Sequence, residues 1–176
     1  MTTLKNELVG TWQLLSYIEV PINGTDSKFP MGQSPKGLLM YGADGYMSVQ
    51  ISNSERSNFS SDDRYLANEL EIRSQVKGFI SLAGSYKIDN INATVQYSII
   101  TSSFPNWEGQ FQERKIDFEG DILYLKSVKP ILSDGIEVNS YMTWRRIEKE
   151  EFISRREKYI EFTSSKQSKS QFEDFE

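Results

Sequence analysis

Gln112 and Arg114 have the strongest claim to chemistry in this chain. In residues 109–119 the alternate set Phe111, Glu113, Lys115 and Asp117 is mostly charged and suits water. A strand would then turn Gln110, Gln112, Arg114, Ile116 and Phe118 to the inside. An inward arginine is costly to bury unless it is paired or wet. Its planar fork of donors fits a carboxylate, an enol or a carbonyl oxygen. A purely structural reading stands beside that one, in which Arg114 pairs with a carboxylate or caps backbone carbonyls. The aromatic residues supply the walls. In residues 138–146, Trp144 shares a face with Val138, Ser140, Met142 and Arg146. In residues 8–20, Trp12 shares one with Leu14, Ser16 and Ile18, which predicts all four to point inward. Two inward tryptophans make a packed floor more often than a ligand box.

Other types are missing. The 176 residues include no His and no Cys. That removes the Ser-His-Asp triad, the commonest metal ligand, thiolate chemistry, disulfides and Cys-ligated zinc. Carboxylates, Lys, Arg, Tyr, Ser, Thr and backbone remain, and no cofactor or metal is expected. A formal net charge of -5 gives no reason to expect nucleic acid or an anionic membrane as partner. No apolar run approaches the roughly 18 to 20 residues of a spanning helix. The first residues lack an apolar signal core, so a cytoplasmic protein is the expectation.

The elements that must position these residues are mostly short strands. Residues 8–20, 37–42 and 46–52 form the first three, with Tyr41 ending the second as a candidate lining residue. Asp44-Gly45 between them is a hairpin signal. In residues 46–52, Tyr46, Ser48 and Gln50 oppose Met47, Val49 and Ile51. Alternation leaves open which set faces inward, and Gln50 is kept as a candidate. Residues 21–35 form a polar loop. Ser60 or Ser61 can cap a helix over 62–82, where Tyr65, Ile72, Val76, Phe79, Ile80 and Ala83 recur at helical spacing and Gly84 acts as the stop. Strands resume at 85–88, 93–102, 109–119, 121–127 and 135–146. Eight strands in hairpin order predict an all-β, antiparallel up-and-down barrel with one inserted helix, closed so that no edge is left open. Phe104-Pro105-Asn106-Trp107 lies between two of these strands. Two aromatics there either plug a barrel end or fold over its mouth as a ligand-contacting lid. Residues 148–159 read as a charged helix and the rest as a mobile tail. The domains are therefore a barrel over 1–147 and a charged extension over 148–176.

Two superficial motifs carry little. Glu69, Glu71 and Arg73 read as a solvated helix face, not a metal cluster. Ser74-Gln75-Val76-Lys77 echoes a serine acyl-enzyme motif without its supporting signatures.

Leu8-Val9-Gly10-Thr11-Trp12, with Leu14 and Ser16-Tyr17, resembles the opening of the lipocalin-like domain family. Pro30-Met31-Gly32, Pro35, Gly37, Leu39 and Tyr41 continue the pattern, followed by Asp44-Gly45-Tyr46-Met47-Ser48. It runs on through Ala83-Gly84-Ser85-Tyr86, Phe104-Pro105-Asn106-Trp107-Glu108-Gly109, Gln112, Arg114 and Trp144-Arg145-Arg146. The resemblance implies a calycin-type eight-stranded barrel with a central cavity, in a family whose members are mostly uncharacterised, and it carries over no catalytic set. The charged C-terminal segment departs from it and leaves a homodimer open.

Three functions fit these features. The first is binding of a small, largely apolar molecule, with Trp12, Tyr41, Gln50, Phe104, Trp107, Gln112, Arg114 and Trp144 as the candidate lining. The second is a cofactor-free isomerase or cyclase acting on a polyketide-like or terpenoid-like molecule, with Arg114, Gln112 or a Tyr polarising an oxygen. The third is a packed structural barrel that binds a protein partner.

Overall fold

The computed structural model describes residues 3–148. Nine strands form one sheet: β1 Gly10–Pro21, β2 Lys36–Tyr41, β3 Tyr46–Ser52, β4 Phe79–Asp89, β5 Thr94–Ser102, β6 Phe111–Glu119, β7 Ile122–Ser127, β8 Ile131–Ser133 and β9 Ile136–Arg146. Each strand from β1 to β7 pairs antiparallel with the next, β7 pairs with β9, and β9 returns to β1. The result is a closed eight-stranded antiparallel barrel. β8 adds three residues to β9 beyond the end of β7, on the same side of β9 as β7. It is too short to show alternation, and the sequence reading missed it.

Alternation builds the interior. Leu39 and Tyr41 sit opposite Val49 and Met47, and all four are buried. Leu82, Tyr86, Val95, Tyr97, Ile99, Ile116, Leu123, Leu125 and Trp144 continue this lining around the circle as one core cluster. Fully burying an aliphatic or aromatic side chain of this size contributes about 1.5–3 kcal/mol. Asp44-Gly45 makes the expected tight turn, with Gly45 at φ 90°.

Two departures change which residues face the lumen. β1 carries a bulge between Leu14 and Ser16 in its pairing with β9. The extra residue reverses the alternation beyond it. Tyr17 and Glu19 therefore point inward, where Ser16 and Ile18 were expected. Before β1, residues Leu4–Leu8 form a short helix, α1, so the strand opens at Gly10.

The inserted helix is shorter than its apolar spacing predicts. It spans α2, Glu69–Gly78, with a single 3-10 turn at Arg64–Leu66 before it. Asn68, not Ser60 or Ser61, is the cap. Its side-chain oxygen accepts from the Leu70 and Glu71 N–H groups at 3.0 Å each. Glu71 closes the capping box on the Asn68 N–H at 2.9 Å. At the other end, pairing with β3 draws Phe79 to Ala83 into strand. Ile72 and Val76 are left exposed on α2. Gly84 is no stop: it lies within β4 beside a second bulge, where a Cβ would collide with the Ser98 carbonyl. The helix expected at 148–159 and the tail lie outside the described residues. Among the described residues no helix is long and apolar enough to cross a membrane.

Candidate functional site

One end of the barrel is sealed. Trp12 and Trp144 are fully buried there. The Trp12 indole N–H donates to the Leu8 carbonyl at 2.9 Å, which ties the floor to α1. Phe118 packs on Trp12 with ring centroids 6.0 Å apart. The Arg146 guanidinium lies 4.1 Å from the Trp12 ring and caps the carbonyls of Glu7 and Val9, the latter at 3.0 Å. Of the two readings of the tryptophans, this geometry is the floor.

Above the floor the lining turns polar. Tyr41 and Tyr97, on β2 and β5, share a hydrogen bond between their hydroxyls. The Tyr17 hydroxyl donates to one oxygen of Glu19 at 2.7 Å, and the Ser133 hydroxyl donates to the other at 2.7 Å. Arg114 donates to Gln112 Oε1 at 3.1 Å and to the Glu113 carbonyl at 3.2 Å. Its Nε is buried with no partner in the protein. Ser127, directly opposite Arg114, accepts from the Ser140 N–H at 3.0 Å. The Ser140 hydroxyl is buried and unpartnered. The Trp144 indole N–H, on the same inner face, is also buried without a partner. Most buried polar groups are hydrogen-bonded, so these three atoms are polar capacity that the protein alone leaves unsatisfied.

The lining titrates as burial dictates. Burial pushes the Tyr97 phenol up to about 12, although its bond from Tyr41 and the Arg114 charge pull the other way. Burial, and next the charge and hydrogen bond of Tyr97, hold Tyr41 well above the ordinary phenol value. Burial and then the bond to Glu19 raise Tyr17, against the Arg114 charge. At neutral pH these phenols are therefore uncharged donors. The same couplings place Arg114 within electrostatic reach of all three.

The other end of the barrel carries the long connections. Met31, from the segment after β1, is buried in the core cluster. Trp107 sits in a one-turn 3-10 helix at Pro105–Trp107 and packs half-buried against the same cluster. Phe104 meets it edge-to-face, with centroids 5.4 Å apart, and is 47 % exposed. Trp107 thus stops this end of the core, and Phe104 stays at the surface. A cleft of about 550 Å³ opens beside α2, lined by Arg56, Phe59, Arg64, Ala67, Ile72 and Val76 among others. It lies outside the barrel and contains none of the eight candidate residues.

The structure therefore brings Tyr41, Gln112 and Arg114 together in the lumen, over a floor of Trp12 and Trp144. Trp107 reaches the opposite end and Phe104 flanks it. Gln50 does not join them. It is on the face of β3 opposite Met47, Val49 and Ile51, bonded to Ser48 at 2.7 Å. Tyr17, Glu19, Tyr97 and Ser127 were not singled out. The adjacent pair Leu14-Leu15 breaks the period of two and was the available sign of the β1 bulge. Among the described residues, no three acidic side chains converge as metal ligands would.

The family model of the lipocalin-like domain matches residues 9–147. The chain is also 28 % identical over 107 residues to the 4'-hydroxy-3'-methoxypropiophenone carrier protein ppsC of Aspergillus oryzae. That alignment spans 57 % of this chain and 96 % of the relative.

Proposed function

Because the chain belongs to the lipocalin-like domain family, we propose that its barrel binds and carries one small, largely apolar molecule. The observation that carries this reading is the set of unpartnered buried polar atoms on the inner wall, Arg114 Nε, Ser140 Oγ and Trp144 Nε1, in a lumen of aromatic and aliphatic side chains with a few polar ones. Apolar walls with a few fixed polar groups are the usual make-up of a ligand pocket. The carrier relative supports it, since that protein is named for an aromatic ketone.

A second reading, a cofactor-free isomerase or cyclase, is favoured by one feature. A buried carboxylate, Glu19, bonded to the Tyr17 hydroxyl, faces the same lumen as Arg114. An acid–base group and an oxygen-polarising cation are the two parts such chemistry needs. Turnover of a bound compound separates the two readings.

The test is solvent extraction and native mass spectrometry of the full chain, followed by titration with 4'-hydroxy-3'-methoxypropiophenone read by tryptophan quenching. We expect saturable binding at one molecule per chain, weakened about tenfold or more by Arg114→Gln through loss of a charged hydrogen bond. A chain that purifies empty and binds no probe overturns the reading and leaves the packed structural barrel.

A further inference from the structure

We propose that the polar half of the lumen is a two-point site for a phenol that also carries a carbonyl oxygen, with Glu19 taking the hydroxyl and Arg114 the carbonyl. The inference rests on the binding reading above and names the chemical class bound.

Glu19 is 3 % exposed, and among the described residues no basic side chain pairs with it. Each of its carboxylate oxygens takes one hydrogen bond, from Tyr17 and from Ser133. A carboxylate oxygen can accept two, so acceptor capacity remains at a buried negative charge. A ligand donor satisfies it, whereas a ligand anion is repelled. Arg114 presents the opposite need. Its two bonds go to neutral acceptors, Gln112 Oε1 and a backbone carbonyl, and its Nε has none. An acceptor oxygen on the ligand meets that need.

The sheet places the two charges on one continuous arc. Glu19 on β1 stands directly opposite Ser140 on β9. Ser140 bonds Ser127 on β7, and Ser127 stands directly opposite Arg114 on β6. Three strand spacings of about 4.8 Å separate the ends. The Glu and Arg side chains extend inward from both ends, which suits a single substituted ring better than a long chain. Between them lie two serines, the smallest side chains on this part of the lining. Both serines are buried, so a ring that bridges the two charged ends must open space over them, and the unpartnered Ser140 hydroxyl can then bond a further ring substituent. A fatty acid fits poorly. Its carboxylate would satisfy Arg114, but it brings no donor to Glu19 and adds a second negative charge to the lumen.

The test uses the full chain and four probes: 4'-hydroxy-3'-methoxypropiophenone, its methyl ether at the phenol, the analogue with a methylene in place of the carbonyl, and a medium-chain fatty acid. Calorimetry should show the parent binding about tenfold or more tighter than either analogue, one hydrogen bond to a charged group being lost in each. The fatty acid should bind more weakly than the parent. Glu19→Leu should erase the preference for phenol over ether and leave the preference for ketone over methylene. Arg114→Leu should do the reverse. Circular dichroism shows whether each variant folds, and the wild-type probe series decides the matter even where one does not. Equal affinity for parent and either analogue, or tighter binding of the fatty acid, overturns the two-point site while leaving a binding barrel. No binding by any probe overturns both.

Discussion

Tyr97 and Tyr41 show how a single side-chain pair sets a property of the whole lumen. Both are buried, both share one hydrogen bond, and both are shifted toward the neutral phenol. Tyr97, at about 12, protonates more readily folded than an unfolded phenol near 10. Its raised value therefore stabilises the fold fully below about pH 10. That contribution fades as the pH rises toward 12, because deprotonation is then easier in the unfolded chain. We expect urea midpoints that fall across this window, reporting a loss of unfolding free energy on the order of 2–3 kcal/mol for Tyr97. Tyr97→Phe should flatten the fall. A wild-type midpoint unchanged between pH 9 and pH 12 would show that these phenols are not held neutral.

At the scale of elements, β1 and α2 teach opposite lessons. β1 pairs with β2 only over Gly10–Gln13, but its ladder with β9 continues on both sides of the extra residue, and the bulge turns Tyr17 and Glu19 into the lumen without breaking that ladder. α2 has little packing to rely on: Leu70, Ile72 and Val76 are all exposed. Its integrity then depends on the capping box of Asn68 and Glu71. Hydrogen bonds from the Asn68 and then the Ser60 backbone N–H hold the Glu71 carboxyl below the usual range, so the box weakens as acid protonates it. Asn68→Ala should cost α2 about 1 kcal/mol. Hydrogen exchange would show faster opening of residues 69–78 with protection of β3 and β4 intact. Equal loss of protection in β4 would mean that α2 and the barrel open together.

For the whole molecule, closure is the central fact. The β1–β9 ladder joins the two ends of the sheet, and Arg146 adds the last tie by holding the Glu7 and Val9 carbonyls against Trp12. A closed circle offers no edge at which to open part-way. The described barrel should therefore unfold as one unit. Tryptophan emission, from Trp12, Trp107 and Trp144, and far-ultraviolet dichroism should share one midpoint. Arg146→Ala removes two charged hydrogen bonds and a cation–π contact, so stability should fall by about 2–4 kcal/mol and the midpoint should move in both signals together. Separation of the two signals would reveal a floor that melts before the wall.

The order of strands, the hairpins and the faces of β6 and β9 were legible in the sequence, because each depends on neighbours in the chain. Alternation of charged and apolar residues put Arg114 and Gln112 inside, and turn residues such as Asp44-Gly45 marked the links. The apolar spacing across Tyr65 to Ala83 was misleading for the same reason: it is a local signal, and pairing with β3 outweighed it. The face of Gln50 needed the partners of β3 on both sides to be known. The Glu19 carboxylate entered the lumen only through the β1 bulge, which is fixed by the ladder that β1 shares with β9, more than a hundred residues away. Residue types and their local periods determined the barrel. Which polar groups meet inside it was decided by register between distant strands, because shifting a strand by one residue turns every side chain beyond it to the other face.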